Sequence, residues 1–429
     1  MYIYFYMDYL KMKPRRDFIK QFSGAAALFS SPALLSFAED NNIPVRAITK
    51  GPLYHWFSYY DKLQFDPLNR FVLGMEVDFE HRSPRKNDII KPGYIDIHNK
   101  NKWTDIGESR SWGWQQGCML QWIPGSDSEV IWNDRRGDKF ISIIKDIYSG
   151  HEKIIEKPVY ALSPDGIHAI GTDFERIQDY REGYGYSGVA DKYKHQNAPG
   201  KSGIYLINLH TGEYKLIISY NQILDIPYPG GDISYKWHWF NHLLVSPDGK
   251  RFIFLNRWKD KPSPSGGFTT RMFTAGMDGS DIYLLDPSGN TSHFIWKDAD
   301  HITAWTKPVN NNAGFWEFKD KTNQLKQIGK GVMTQNGHNT YLPGTKNDWI
   351  LNDTYPQRDT REQIVYLYQV STNKKIELDR FYSPPEYKGE WRCDTHPGYS
   401  NDGKFICIDS PHRGNGRQMY LIDISSIIT

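Results

Sequence analysis

Cysteine is scarce: Cys118, Cys393 and Cys407 are the three in 429 residues. So few and so scattered, they exclude a disulfide framework and a thiolate zinc knuckle, and they read as buried thiols, with Cys393 and Cys407 the one pair able to meet. An excess of one charge is missing as well. The formal net charge is +2, which gives no basic track for nucleic acid and no acidic tail for a partner. Helical periodicity is almost absent from about residue 51 onward. The small-and-apolar run from Phe22 to Leu35 spans about fourteen residues, short of the about twenty that a membrane span needs.

What is present is apolar and aromatic. Hydrophobic residues make up 39% of the chain, enough for a large core, and aromatics 15%, with 14 Trp and 28 Tyr. Such residues suit packed β-sheets and also suit stacking against sugar rings. Near the N-terminus, Arg15-Arg16-Asp17-Phe18-Ile19-Lys20 resembles a twin-arginine export signal, and Ser36-Phe37-Ala38 offers a small-x-small cleavage site. The reading is therefore a signal over residues 1–38 cut near Ala38, a linker over 39–50, and one domain over 51–429 located in the periplasm. No cysteine sits at the cleavage point, which argues against a lipoprotein; the rival reading is an uncleaved anchor.

The domain is read from a repeated hairpin. Leu243–Val245 is a short apolar strand, Ser246-Pro247-Asp248-Gly249 a tight turn, and Arg251–Leu255 the return strand. Degenerate copies of the turn are Ser163-Pro164-Asp165-Gly166 and Ser400-Asn401-Asp402-Gly403, with a looser one at Pro343-Gly344. Seven units start near His55, Trp112, Pro158, Trp237, Asp298, Gly337 and Arg392. Four strands to a repeat of roughly 40–60 residues describe the blades of an all-β propeller, seven by this count, with six or eight open because the fifth unit matches poorly. The insertions Asp173–Lys201 and Arg257–Asp281 are expected as surface loops over one face.

Aligning the units on their turns exposes a histidine position. His242 lies four residues before Ser246, His396 four before Ser400, His338 five before Pro343, and His301 heads the fifth unit. In a propeller these positions converge on the mouth of the central channel, where imidazoles serve metal ligation or proton transfer. Gln335, three residues before His338, adds a neutral oxygen donor. Imidazoles with a carboxamide oxygen suit a divalent ion such as Mn²⁺. Arg257, Arg271, Arg358, Arg361, Arg392 and Asp394 lie around this set, and arginine binds carboxylates bidentately, so an anionic ligand is expected.

At these residues the chain resembles the oligogalacturonate lyases, a polysaccharide-lyase family of seven-bladed propellers. The likeness rests on Asn241-His242 before the turn, on His301, and on Gln335 with His338. It also rests on Trp349-Ile350-Leu351-Asn352-Asp353-Thr354-Tyr355-Pro356 and on Arg392-Cys393-Asp394 with His396-Pro397. The resemblance implies a pectin-degrading lyase using Mn²⁺, with His301, Gln335 and His338 as ligands and His242 as the base. The family's remaining metal histidine falls where this chain has Thr340, a departure that leaves His396 to fill the vacancy.

The chemistry implied is β-elimination from a uronic-acid oligosaccharide. A cation or an arginine on the sugar carboxylate, Arg271 or Arg392, stabilises the enolate-like charge while His242 takes the proton. Arg257, Asp394, Trp239 and Tyr355 are the expected substrate contacts, the aromatics by stacking. Two alternatives stand beside this reading. One is a propeller glycoside hydrolase, which needs two carboxylates 5–10 Å apart and has Asp353, Asp394, Asp409 and Glu390 available with no evident pair. The other is a non-catalytic TolB-like binding propeller.

Overall fold

Each repeated turn segment joins the first strand of a sheet to its second. In Ser246–Gly249 the Gly249 amide donates to the Ser246 carbonyl at 2.9 Å, and Gly249 adopts φ +71°. That left-handed backbone is why glycine stands there. Ser163–Gly166 and Ser400–Gly403 close in the same way at 3.0 and 2.8 Å.

The computed structural model describes residues 43–428. The expected signal over 1–38 lies outside the described residues. Repetition of the hairpin gives seven sheets of four antiparallel strands, a seven-bladed β-propeller. The first strands of the seven blades are Tyr54–Trp56, Gln121–Trp122, Ala161–Leu162, Trp237–Val245, Phe294–Trp296, Thr340–Tyr341 and Gly398–Tyr399. The poorly matched fifth unit is a complete blade, from Phe294–Trp296 to Leu325–Ile328.

The ring closes through the N-terminal strand. Val45–Ala47 pairs antiparallel with Gln418–Asp423 and completes the seventh sheet. This corrects the expected 39–50 linker: a strand of three residues is too short to carry a readable alternation. It also protects an edge that would otherwise expose unpaired backbone groups.

The expected loop Arg257–Asp281 is corrected too. Arg251–Lys259 and Thr269–Gly276 are paired strands, leaving residues 260–268 as the loop between them and 277–281 as the turn that follows. Within Arg257–Asp281, proline is confined to residues 260–268, as Pro262 and Pro264, whereas Thr269-Thr270-Arg271-Met272-Phe273 favours extended backbone. The other insertion holds a short helix, Phe174–Tyr180. Among the described residues, no helix is long and apolar enough to cross a membrane.

Blades are held face to face by apolar side chains. Ile253, Leu255 and Met272 of the fourth blade pack on Phe294, Trp296 and Ile302 of the fifth. Each such fully buried side chain contributes about 1.5–3 kcal/mol. The three cysteines are buried free thiols, so Cys393 and Cys407 form no bridge. With the core between the blades, the polar residues on the first strands are left to line the axis.

Candidate active site

One hydrogen bond sets the register of every blade: a backbone amide donates to the carbonyl of the first residue of the second strand. The pairs are Asp66 to Phe71, Ile123 to Glu129, Ser163 to His168, Ser246 to Arg251, Lys297 to His301, Leu342 to Trp349 and Ser400 to Phe405, at 2.8–3.0 Å. Counting four residues back from each donor gives Lys62, Met119, Val159, His242, His293, His338 and His396. Four consecutive blades therefore present histidine at one equivalent position.

His301 is not one of them, and the expected ligand is corrected. It opens the second strand, at the far end of the Phe294–Trp296 pairing from His293. There its Nδ1 meets the Asp298 carboxylate at 2.9 Å, half-exposed. The fifth blade turns through Asp298-Ala299-Asp300, without the Pro and Gly that mark the other turns, so the sequence pattern misaligned it.

The imidazoles converge. Ring centroids of His293 and His338 are 4.3 Å apart, and those of His338 and His396 also 4.3 Å. His242 stacks on Phe294 at 4.0 Å. His242 and His396 take left-handed φ values of 53° and 40°, costly for non-glycine residues, and His242 sits at a register break in its strand. All four are buried. Burial holds the His242, His293 and His396 imidazoles below their ordinary range, with the neighbouring His338 adding to the effect at His293 and His396. The three are neutral near pH 7, the form that accepts a proton or binds a metal.

Each ring is fixed by a partner. The Asp353 carboxylate accepts the His338 backbone amide at 2.7 Å and faces Nδ1 at 2.9 and 3.0 Å. It also accepts the Thr395 hydroxyl. A carboxylate only accepts, so the His338 proton lies on Nδ1 and Nε2 presents its lone pair. His293 Nδ1 lies 3.0 Å from Asn336 Oδ1, with Tyr355 Oη 3.5 Å from Nε2. Beside them Asp394 takes the Arg392 Nε–H on Oδ2 at 2.7 Å, while its buried Oδ1 has no partner. One ligand atom each from His338, Asp394 and His396 lies within 4.8 Å of the others. Two imidazole nitrogens and an orphaned carboxylate oxygen fit a divalent cation.

A loop of the first blade closes the site. The Phe57 and Ser58 amides donate to the Asp409 carboxylate at 3.0 and 2.8 Å, and the Tyr60 hydroxyl donates to the Phe294 carbonyl at 2.8 Å. This anchoring brings Asp61 Oδ2 to 3.0 Å from His242 Nε2, while Oδ1 accepts from Lys62 Nζ at 2.8 Å. Burial works to raise the Asp61 pKa, but Lys62 and His242 outweigh it and hold the carboxyl below its usual range. Asp61 therefore stays ionised and fixes the His242 tautomer with the proton on Nε2.

The remaining expected residues divide. Arg392, Asp394 and Tyr355 stand at the cluster: Arg392 Nη2 donates to Tyr184 Oη at 2.7 Å, and the Tyr355 ring lies 5.8 Å from that of His338. Arg257 donates to Asn241 Oδ1, next to His242. Gln335 is turned away; its amide pairs with that of Gln357 at 3.0 and 2.8 Å on the surface. Arg271 is fully buried, donating to the Ile223 and Ile226 carbonyls and to Asn256, so it has no free edge for a carboxylate. Trp239 is equally buried, stacked on Tyr180 at 5.6 Å, and shows no face to a sugar. His293, Asp61, Lys62 and Arg181 were not among the residues expected from sequence. Only His293 had a readable signal, its place four residues before a strand-closing amide, and that amide is fixed by the fold.

The class defined by fold and site is a seven-bladed propeller carrying a buried histidine–carboxylate cluster at its axis. No protein-family model matches the chain, and no curated protein matches it in sequence. Solved structures do match. An oligogalacturonate lyase from Vibrio parahaemolyticus superposes with a TM-score of 0.63 at 12% identity, covering 91% of this chain and 96% of its own. An oligogalacturonate lyase in complex with manganese gives 0.64 at 14% identity, covering 91% and 95%. TolB from Acinetobacter baumannii gives 0.39 at 11% identity, over 83% and 80%. At these identities the likeness is one of fold.

Proposed function

We propose that this protein is a lyase that cleaves uronic-acid oligosaccharides by metal-assisted β-elimination. One observation carries the reading: His338, Asp394 and His396 offer a divalent cation three ligand atoms within 4.8 Å of one another, beside the neutral, buried His242. In this reading those three residues would hold the ion, with the His293 ring packed beside that of His338. A bound divalent cation supplies Lewis-acid stabilisation of the charge that develops on the sugar carboxylate. Manganese, the ion in complex with one of the oligogalacturonate lyases of like fold, is the first to test.

The rest of the work falls to the chain. His242, its Nε2–H held by Asp61, accepts the proton α to the carboxylate on Nδ1 as the C=C bond forms and the β C–O bond breaks, and the resulting imidazolium returns that proton to the departing glycosidic oxygen. Arg392, bonded to Asp394 and over the Tyr355 ring, and Tyr355, beside His338, orient the sugar. The buried rings of Tyr59 and Tyr60 pack against His242 at 5.0 and 5.8 Å, and such low-dielectric surroundings strengthen these charges. Of the four carboxylates that a glycoside hydrolase would draw on, Asp353 is held by His338 and Thr395, and Asp409 by two backbone amides. The twin-arginine-like segment supports a periplasmic place for this reaction.

The test is direct. Purified protein with Mn²⁺ is incubated with oligogalacturonides and other uronides while the ultraviolet absorbance of the unsaturated product is followed. Only elimination creates that chromophore, so flat traces on every uronide sink the lyase reading, and new reducing ends without it favour hydrolysis.

A further inference from the structure

The chain holds two guanidinium groups with no counter-anion at one amide oxygen. Asn241 Oδ1 accepts from Arg181 Nη1 at 3.2 Å and also from Arg257 Nη1. Among the described residues, neither arginine pairs with an Asp or Glu. Arg257 is only 4% exposed, and its Nε–H is buried without a partner. A buried charge normally has both a counter-charge and filled hydrogen bonds. Here two like charges share a single neutral oxygen.

Local structure explains how they are held. Arg181 follows directly on the helix Phe174–Tyr180, so the third-blade insertion aims it at the fourth blade. Arg257 projects from the strand Arg251–Lys259, opposite Trp239. Phe268, from the loop between the second and third strands of that blade, lies 4.9 Å from each guanidinium carbon and is 38% exposed. Arg181 also stacks on Tyr184 at 3.7 Å, and Tyr184 accepts from Arg392. The pair is thus contiguous with the histidine cluster through Asn241 on one side and Tyr184 on the other.

We infer that Arg181, Arg257 and the exposed ring of Phe268 form a second acidic-sugar subsite, which binds the carboxylate of the residue next to the one that loses its proton. The inference rests on the uronide reading of the axial site. A carboxylate there receives guanidinium N–H groups from both arginines and neutralises the unpaired charge, and the aromatic ring supplies a stacking face. The positive field of Arg181 already reaches His242 and His293, where it adds to the forces holding both imidazoles neutral.

The experiment separates this from the lyase reading. Binding of trigalacturonate and of its fully methyl-esterified form to the full chain with Mn²⁺ is measured by calorimetry in a His242→Ala background. Esterification is expected to weaken binding by about tenfold or more. Arg181→Gln and Phe268→Ala are each expected to weaken binding of the acid, and Arg181→Gln to leave the ester almost unaffected. Arg257→Gln should match Arg181→Gln; because Arg257 is buried, its melting curve is checked, and the half-buried Arg181 stands in if it fails to fold. An unchanged acid-to-ester ratio in Arg181→Gln overturns the subsite, even if the parent enzyme makes unsaturated product. Loss of that ratio in a protein that makes no product sinks the lyase reading and leaves the subsite standing.

Discussion

Asp353 grips His338 from two directions, through the backbone amide at 2.7 Å and through ring Nδ1 at 2.9 Å, and so turns Nε2 toward Asp394 and His396. A carboxylate behind a metal-facing imidazole fixes the tautomer and raises the basicity of the free nitrogen.

Asp353→Asn is therefore expected to weaken Mn²⁺ binding by about 10–100-fold while the propeller remains folded. Calorimetric titration with Mn²⁺, alongside circular dichroism, reads both. Undiminished affinity would remove Asp353 from behind the metal.

Metal and stability are coupled. Mn²⁺ at about 100 times its dissociation constant should add about 2.7 kcal/mol to the unfolding free energy. The rise in melting temperature should disappear in His396→Ala and His338→Ala. A rise that survives both substitutions would place the ion elsewhere.

The Asp61–His242 pair predicts a pH effect. Burial lowers the His242 pKa and Asp61 partly opposes it, so Asp61→Asn moves the acid limb of the kcat/KM profile to lower pH. The plateau rate falls by about 100-fold or more, because the base is weaker and its tautomer no longer fixed. The change should appear in kcat more than in KM. A shift to higher pH would contradict the assignment.

His238 gives a stability test away from the site. Its Nε2–H donates to the Ile233 carbonyl at 2.8 Å and Nδ1 accepts from Asn256, an arrangement that requires the neutral ring. Burial brings its pKa down to about 4, against about 6.5 unfolded. The unfolded state binds the proton more readily between those values, so this stability is present above pH 6.5 and lost as pH falls toward 4. The loss amounts to ~3 kcal/mol. Urea unfolding of wild type and His238→Gln between pH 7 and 4.5 should show a shallower slope in the variant.

Much of this architecture was written in local chemistry. The Ser-Pro-Asp-Gly turns and the alternating strands determined an all-β repeat fold, because a positive φ and a period of two are demands that neighbouring residues meet by themselves. The same spacing brought His242, His338 and His396 to equivalent positions. Tertiary structure alone decided the rest. His293 replaced His301 because the fifth-blade turn lacks Pro and Gly, so its register is fixed by pairing across the sheet. Asp61 reached His242 across blades far apart in sequence, where only closure of the ring brings the side chains together, and Arg181 met Arg257 because the third-blade insertion reaches over the neighbouring fourth blade. Gln335, Arg271 and Trp239 kept the right chemistry, but their packing turned them outward or enclosed them, and residue type carries no record of direction.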